Sequence, residues 1–222
     1  MNTNVSVIMP VRDSGIYLKL AIDSLFESTN YPFRLILIES ESIDGSDKVC
    51  DEYAKRDNIT VIHKVTNGST KALNIGIKEA GDDDVLLTQT DVIFPKIYGR
   101  DWLQELTELS KIQNCGIISC FGGGGVSNKD YLEGLNWIGT WFMYIPRRTI
   151  NKIGGFDEDY SPGAGDDIDY SYKVSQANLQ LGLINYWVDH HRLLEFHKHE
   201  VEYYGKYYHL HAKLFKKKWG LD

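Results

Sequence analysis

Leu35-Ile36-Leu37-Ile38-Glu39 is an apolar run that stops at an acid, and Asp44-Gly45-Ser46, a turn signal, follows it. The same arrangement recurs on either side. Val5-Ser6-Val7-Ile8-Met9-Pro10-Val11-Arg12 runs apolar up to Pro10, and Leu86-Leu87-Thr88-Gln89-Thr90-Asp91-Val92 turns polar at Gln89 and acidic at Asp91. Short runs rich in Val, Ile and Leu read as strands buried on both faces of a parallel sheet. In an open sheet of that kind, ligands bind beyond the carboxyl ends of the strands. The chain thus aims several polar and acidic groups at one crevice. A fourth stretch joins them from the second half: Gly154-Gly155-Phe156-Asp157-Glu158, then Asp166-Asp167-Ile168-Asp169.

Helical patterns fill the gaps. Leu18, Ala21, Ile22, Leu25 and Phe26 fall at helical spacing over residues 14–28, with Ser14 as the expected cap. Ser46 is the expected cap of a helix over 46–54, with Val49, Cys50 and Tyr53 on one face. The first strand spans 4–11, the second 33–39, the third 59–63 and the fourth 85–88, and 70–79 is a helix carrying Ala72, Leu73, Ile75 and Ile77. The order β-α-β-α-β-α-β implies a parallel sheet with right-handed crossovers. Beyond it, residues 102–113, 148–153, 167–177 and 200–219 read as helices, and 116–121, 141–145 and 181–187 as strands. Gly122–Gly125 reads as a loop.

At 222 residues the chain suits one domain, or one with a small appendage. Its net charge of −7 argues against nonspecific nucleic-acid binding, which needs a basic field. That charge fits ordinary solubility, and it fits an acidic site with a divalent cation. Cys50, Cys115 and Cys120 are an odd number without paired spacing, so neither a disulfide framework nor a CxxC zinc site is expected. A reducing, cytoplasmic location is the expectation. No signal-peptide pattern opens the chain, and no stretch approaches the roughly 18 apolar residues of a membrane span.

Several chemistries lack their motifs. No GxGxxG follows the first strand and no GxxxxGK[ST] occurs, so a dinucleotide fingerprint and a P-loop are both absent. Nor is there a GxSxG nucleophile elbow. Asp91, just past an apolar strand, is placed to coordinate a divalent cation together with a diphosphate, since hard cations prefer oxygen ligands. An acid there also serves as a loop residue or helix cap, and Glu39 and Asp44 share that ambiguity. Asp166, Asp167 and Asp169 suit a helix start, where the dipole favours acids. A dipole alone does not explain the Gly-Gly-Phe-Asp-Glu turn and the loop Gly163–Gly165 ahead of them.

Together these pieces resemble the family 2 glycosyltransferases. Ile38-Glu39 through Asp44-Gly45-Ser46 is similar to the family's "VVDDGSTDGS" segment, and Asn67-Gly68 with Ala72, Asn74 and Gly76 to its "NxG…AxNxG" helix. Gly154-Gly155-Phe156-Asp157-Glu158 matches "GGFDE", Asp166-Asp167-Ile168-Asp169 resembles "EDxD", and Lys218-Trp219-Gly220 resembles the "KWG" ending of several subfamilies. The resemblance spans nearly the whole chain. It implies a single GT-A domain over 1–222: a mostly parallel central sheet flanked by helices, a nucleotide-binding half over 1–95, an acceptor and catalytic half over 96–199, and a helical tail over 200–222. It further implies inverting transfer of a sugar from a UDP-, GDP- or dTDP-linked donor to the hydroxyl of a glycan or lipid-linked acceptor, for glycan or polysaccharide assembly.

By the same resemblance, Pro10, Val11, Arg12, Glu39, Asp44, Asn67, Gly68, Lys71, Asn74 and Thr90 would bind the nucleotide sugar. Asp91 would hold Mn2+ or Mg2+, Asp167 would be the general base, and Asp166 its neighbour. An acceptor hydroxyl needs a positioned base, and a leaving diphosphate gathers charge that a metal offsets. Crowding of Asp166, Asp167 and Asp169 is expected to raise a carboxyl pKa. This chain departs from the pattern in having Glu39 for the usual Asp, and Gln89-Thr90-Asp91 with one carboxylate where the family has two. A late histidine would complete the metal shell. His190, His191, His197 and His199 are candidates, with His191 favoured by spacing from Asp167 and His197 by spacing from Lys218. Trp137 and Trp141, with Tyr144, are candidates for an acceptor platform, or for core. The aromatic and basic segment from Tyr203 to Trp219 would either pack back on the domain or touch a membrane surface. The alternatives are a non-catalytic nucleotide-sugar-binding module and a sugar-phosphate nucleotidyltransferase.

Overall fold

A computed structural model describes residues 5–121, 126–127, 136–190 and 194–221, with the side chains of 121, 126–127 and 194–205 excepted. The Gly122–Gly125 run lies outside the described residues. In chain order the elements are β1 (Val5–Val11), α1 (Gly15–Ser28), β2 (Arg34–Glu39), α2 (Ser46–Tyr53), β3 (Ile59–His63), α3 (Ser69–Glu79), β4 (Asp84–Thr88), β5 (Val92–Ile93), α4 (Trp102–Ser110) and β6 (Cys115–Phe121). They continue as β7 (Val126–Ser127), β8 (Trp137–Ile138), β9 (Phe142–Ile145), α5 (Arg147–Ile153), a 3-10 turn (Glu158–Tyr160), α6 (Asp166–Gln176), β10 (Gln180–Trp187), β11 (Asp189–His190) and α7 (Leu194–Trp219).

Alternation along the strands builds two cores. Val5, Val7, Met9, Val11, Leu35 and Leu37 face one, while Ile8, Ile36 and Ile38 face the other, because successive strand side chains point to opposite sides. Leu18, Ala21, Ile22 and Leu25 of α1 and Trp102, Leu103 and Leu106 of α4 close the first core. Ala72, Leu73 and Ile77 of α3 and Tyr170 and Val174 of α6 close the second. Each Val, Leu, Ile or Met among them, fully buried, contributes about 1.5–3 kcal/mol. Gly76 lets α3 approach the sheet: a Cβ there would lie 2.3 Å from Ile8 Cγ2.

The seven-stranded sheet has the order β10-β6-β9-β4-β1-β2-β3, parallel except for β9, which runs antiparallel to β4 and β6. From β1 the chain moves outward to β2 and β3. It then returns through α3, on the opposite face from α1 and α2, to place β4 on the other side of β1. Strand order therefore reverses between β1 and β4, the place where an open α/β sheet leaves a crevice.

Local expectations fail where a distant partner wins. Ser14 occupies the N-cap position of α1 without capping it: its hydroxyl donates to the Arg12 carbonyl at 3.3 Å, and Asp44 instead accepts the Gly15 N–H at 2.6 Å. Ser46 is the first residue of α2 rather than its cap, and its hydroxyl accepts the Ser14 N–H at 3.0 Å. The last helix starts at Leu194, not at residue 200. The strands β5 and β11, too short for a period to show, pair antiparallel with Asp189 opposite Ile93 and His190 opposite Val92.

Candidate functional site

A cleft of about 220 Å³ opens at the β1/β4 reversal. Pro10, Val11, Arg12 and Ser14 form one side, Thr88, Gln89, Thr90 and Asp91 the other, and Gly68, Ser69, Ala72 and Leu73 of α3 and the turn before it a third. Ile38, Ser40, Thr66 and Thr140 complete the lining, and Arg12 is the one cationic side chain among these described residues.

The β1 side is held by the loop after β2. Asp13 donates its N–H to Ser42 Oγ at 3.1 Å, and its own carboxylate accepts the Ile43 N–H at 2.7 Å. Asp44 accepts the N–H groups of Gly15 and Ser46 at 2.6 and 2.9 Å. Burial opposes its charge, but the Ser46 hydroxyl and these N–H groups outweigh it and hold the carboxyl below its usual range. Asp13 and Glu41 sit at φ 46° and 51°. Non-glycine residues rarely adopt that region, and such strain collects at functional loops.

Glu39 is buried behind this wall. One oxygen accepts the Ser42 N–H at 2.7 Å, and the other is 2.9 Å from His63 Nδ1. The other ring nitrogen of His63 is 2.9 Å from Asp51. A carboxylate at each nitrogen favours the imidazolium, and the pKa of His63 is raised, by Glu39 first and Asp51 next.

On the β4 side, Asp91 Oδ2 lies 3.4 Å from His190 Nε2. The β5–β11 pairing brings them together. The imidazole stacks on Trp141 at 4.9 Å between centroids, and its Nδ1 is buried without a partner. Its polar chemistry is thus directed through Nε2, toward Asp91. Among the described residues, no group of three or more His, Cys, Asp or Glu side chains stands together as a metal cage.

The acidic helix α6 enters from the far side. Asn74 of α3 grips the Gly-Gly-Phe turn. Its amide donates to the Phe156 carbonyl and its oxygen accepts the Phe156 N–H, both at 2.9 Å, with Glu158 a third partner at 3.1 Å. A Cβ on Gly155 would sit 2.6 Å from the Asn74 oxygen. Pro162 accepts the Ser69 N–H at 2.9 Å, and it crosses Gly68 so closely that a Cβ there would lie 2.0 Å from its carbonyl oxygen. The loop leading into α6 is thereby fastened to the cleft wall.

Three acids open α6, and the fold separates them. Asp166 is buried and accepts from Thr70 Oγ1 at 3.1 Å. Asp169 is buried and accepts from Lys218 Nζ at 2.8 Å, Trp219 Nε1 at 2.9 Å and Tyr160 OH at 3.2 Å. Only Asp167 keeps partial exposure. The pKa of Asp166 is raised, by burial before all else, against the Thr70 hydroxyl. Crowding of like charges is therefore not the leading cause that the sequence suggested.

Of the residues picked from sequence, Pro10, Val11, Arg12, Gly68, Thr90 and Asp91 line the cleft. Glu39, Asp44 and Asn74 stand behind it and hold its loops. Asn67 is exposed on the turn before α3, and Lys71 is half-buried on that helix without lining the cleft. Trp141 is 6% exposed, with His190 against its ring, while Trp137 is half-buried and its indole N–H is buried without a partner. His191 lies outside the described residues, as does the side chain of His197. Among the described residues, the histidine that reaches Asp91 is His190. It was among the four candidates, but spacing favoured His191 and His197, because the two-residue pairing between β5 and β11 that brings His190 there leaves no periodic signal. Thr70, which holds Asp166, was missed, and its place in the first turn of α3 was the available signal.

The model for "Glycosyl transferase family 2" matches residues 6–163. A Bacillus subtilis (strain 168) protein described as the uncharacterized glycosyltransferase EpsJ is 31% identical over 117 residues, which is 52% of this chain and 33% of that protein. The chain spans about a third of this relative's length. Among solved structures, the mannosyltransferase PcManGT from Pyrobaculum calidifontis, in complex with GDP-Man and Mn2+, superposes with a TM-score of 0.66 at 20% identity, covering 82% of this chain and 55% of that one. GalNAc-T7 with UDP, GalNAc and Mn2+ gives 0.71 at 15% identity, covering 85% and 44%.

Proposed function

The chain belongs to glycosyl transferase family 2 and has the GT-A fold, and on that premise we propose that it transfers a sugar from a nucleoside-diphosphate sugar to an acceptor hydroxyl with inversion. The observation that carries this reading is the sorting of the α6 acids: Asp166 and Asp169 are buried and bonded, and Asp167 alone keeps solvent access. In the reaction, Asp167 takes the proton of the acceptor hydroxyl. That oxygen forms a bond to the anomeric carbon, the bond from that carbon to the diphosphate breaks, and the nucleoside diphosphate leaves with the electron pair. One displacement inverts the centre.

The rest of the cleft would serve the donor. Pro10–Arg12 and Gly68 form its walls, with Arg12 supplying positive charge. Glu39, Asp44 and Asn74 position those walls from behind. Asp91 and His190 offer one oxygen and one nitrogen, a set that suits a divalent cation sharing its shell with a diphosphate. When bound, such an ion offsets charge on the leaving group. Two fold neighbours were solved with Mn2+, which supports the assignment. Glycan assembly is the proposed setting.

The test is Asp167→Asn. Release of nucleoside diphosphate from UDP-, GDP- and dTDP-sugars is expected to fall by about 10²-fold or more, with calorimetric binding of the diphosphate retained. Full turnover in that variant removes Asp167 as base. Turnover by neither protein, with tight diphosphate binding by both, replaces the enzyme by a binding module.

A further inference from the structure

Helix α7 presents two unlike faces. On one, His211 and Phe215 are buried at 2% and 0% exposure, His211 Nδ1 meets the Ala164 carbonyl at 2.7 Å, and Lys218 bonds Asp157 and Asp169. This face fixes the helix against the loop that leads into Asp166 and Asp167. Steps of three and four residues put Lys206, His209, Leu210, Lys213, Lys216 and Lys217 on the opposite side, and all six are exposed. Leu210 is 58% exposed, and Leu221 just past the helix is 42% exposed.

Charge is segregated along the chain. Residues 203–221 hold five lysines and no acid, which leaves −12 on the remainder of a chain whose net charge is −7. Lys218 is spent on Asp157 and Asp169, so the other four lysines make the outward field. We propose that this outward face of α7 docks the protein on an anionic phospholipid bilayer, with the helix lying in the plane of the surface. The rest of the molecule is acidic and repelled by such a surface, so charge fixes one orientation. Leu210 and Leu221 favour a bilayer over a soluble polyanion, because apolar side chains among lysines gain by entering the headgroup region and gain nothing on a polymer of charges. Docking turns the α6 side of the cleft toward the lipid, since the inner face of the same helix holds that loop. The docking does not depend on the proposed transfer reaction, and its test needs no turnover.

The experiment is flotation of the full chain with vesicles of phosphatidylcholine alone and of phosphatidylcholine mixed with phosphatidylglycerol. Binding is expected to the mixed vesicles only, and to weaken with salt. The variant Lys206→Gln/Lys213→Gln/Lys216→Gln/Lys217→Gln is expected to lose roughly five-fold per lysine, on the order of several-hundred-fold in all. A charge-matched variant at exposed sites elsewhere, Lys55→Gln/Lys64→Gln/Lys78→Gln/Lys96→Gln, is expected to bind like the wild type within several-fold. Leu210→Ser separates the sources of binding. It is expected to weaken vesicle binding while leaving any binding of soluble polyphosphate unchanged. Equal binding to both vesicle types, wild-type binding by the stripe variant, or binding of polyphosphate without binding of vesicles each overturns the proposal. Matching thermal melts of both quadruple variants exclude unfolding as the cause.

Discussion

Replacing Asn74 with Ala removes the bracket between α3 and the Gly-Gly-Phe turn. Two part-buried hydrogen bonds to the peptide groups of Phe156 go, both at 2.9 Å, along with an exposed one to Glu158 at 3.1 Å. A protein hydrogen bond is worth about 1 kcal/mol net, and a partner left unpaired adds to the loss. The exposed bond is replaced by water and adds little. The sum is about 2–3 kcal/mol. In a domain of this size 1 kcal/mol moves Tm by roughly 2–4 °C, so calorimetry is expected to show a fall of about 5–10 °C. Asn74→Asp keeps the acceptor for the Phe156 N–H, loses the donor to its carbonyl, and sets a second acid beside Glu158, so it is expected to fall nearly as far. Nucleoside-diphosphate binding stays within several-fold, because Asn74 does not line the cleft, while turnover drops as the loop to Asp167 loosens. A melt within about 1 °C of wild type in Asn74→Ala refutes the bracket.

Asp166→Asn, at a buried acid whose carboxyl is pushed up by burial, keeps the acceptor for Thr70 and is expected to fold and bind diphosphate as the wild type does. Loss of folding in that variant shows that Asp166 must be charged. His190→Ala and Asp91→Ala are each expected to weaken Mn2+-dependent diphosphate binding by about ten-fold or more. Equal affinity in Mn2+ and in EDTA for wild type and both variants removes the metal site. The Glu39–His63 pair predicts a pH window. The His63 pKa lies above its ordinary 6.5, so its contribution is complete below 6.5 and fades as pH rises through the raised value. The Glu39 pKa lies below its ordinary 4.5, so its contribution is complete above 4.5 and fades in acid. His63 is half exposed, and the effect is therefore below about 1 kcal/mol. Urea unfolding across pH is expected to show an alkaline decline that His63→Gln flattens, and an identical slope in that variant refutes the pairing.

Placement of α7 bears on how the acids are used. Without Lys218 and Trp219, a buried Asp169 carboxylate would lose its cation and keep the Tyr160 hydroxyl as a donor, which is costly. The end of the chain therefore completes the acidic helix, and the Lys-Trp-Gly ending that the sequence singled out is tied to the acidic cluster by two bonds to one residue.

Strand and helix identity over the first ninety residues was legible without coordinates, because period-two and helical spacings are local. So was the crevice: apolar runs that end in Arg12, Glu39 and Asp91 predict groups at the carboxyl edge of a parallel sheet, and the cleft lies at that edge. The Gly-Gly-Phe-Asp-Glu turn and the acids after it were equally readable. What the spacing could not decide was which of those groups face the cleft. Glu39 and Asp44 turn from it because other groups take their oxygens, the Ser42 N–H and the distant His63 ring for Glu39, and the Ser46 N–H and the distant Gly15 N–H for Asp44. Among the described residues His190 meets Asp91 because a two-residue strand pairs with another nearly a hundred positions earlier. Asp167 differs from Asp166 and Asp169 only through what packs over each: Thr70 from α3, Lys218 and Trp219 from α7. Hydrogen bonds and burial between distant segments depend on the closed fold, and no window of sequence contains them.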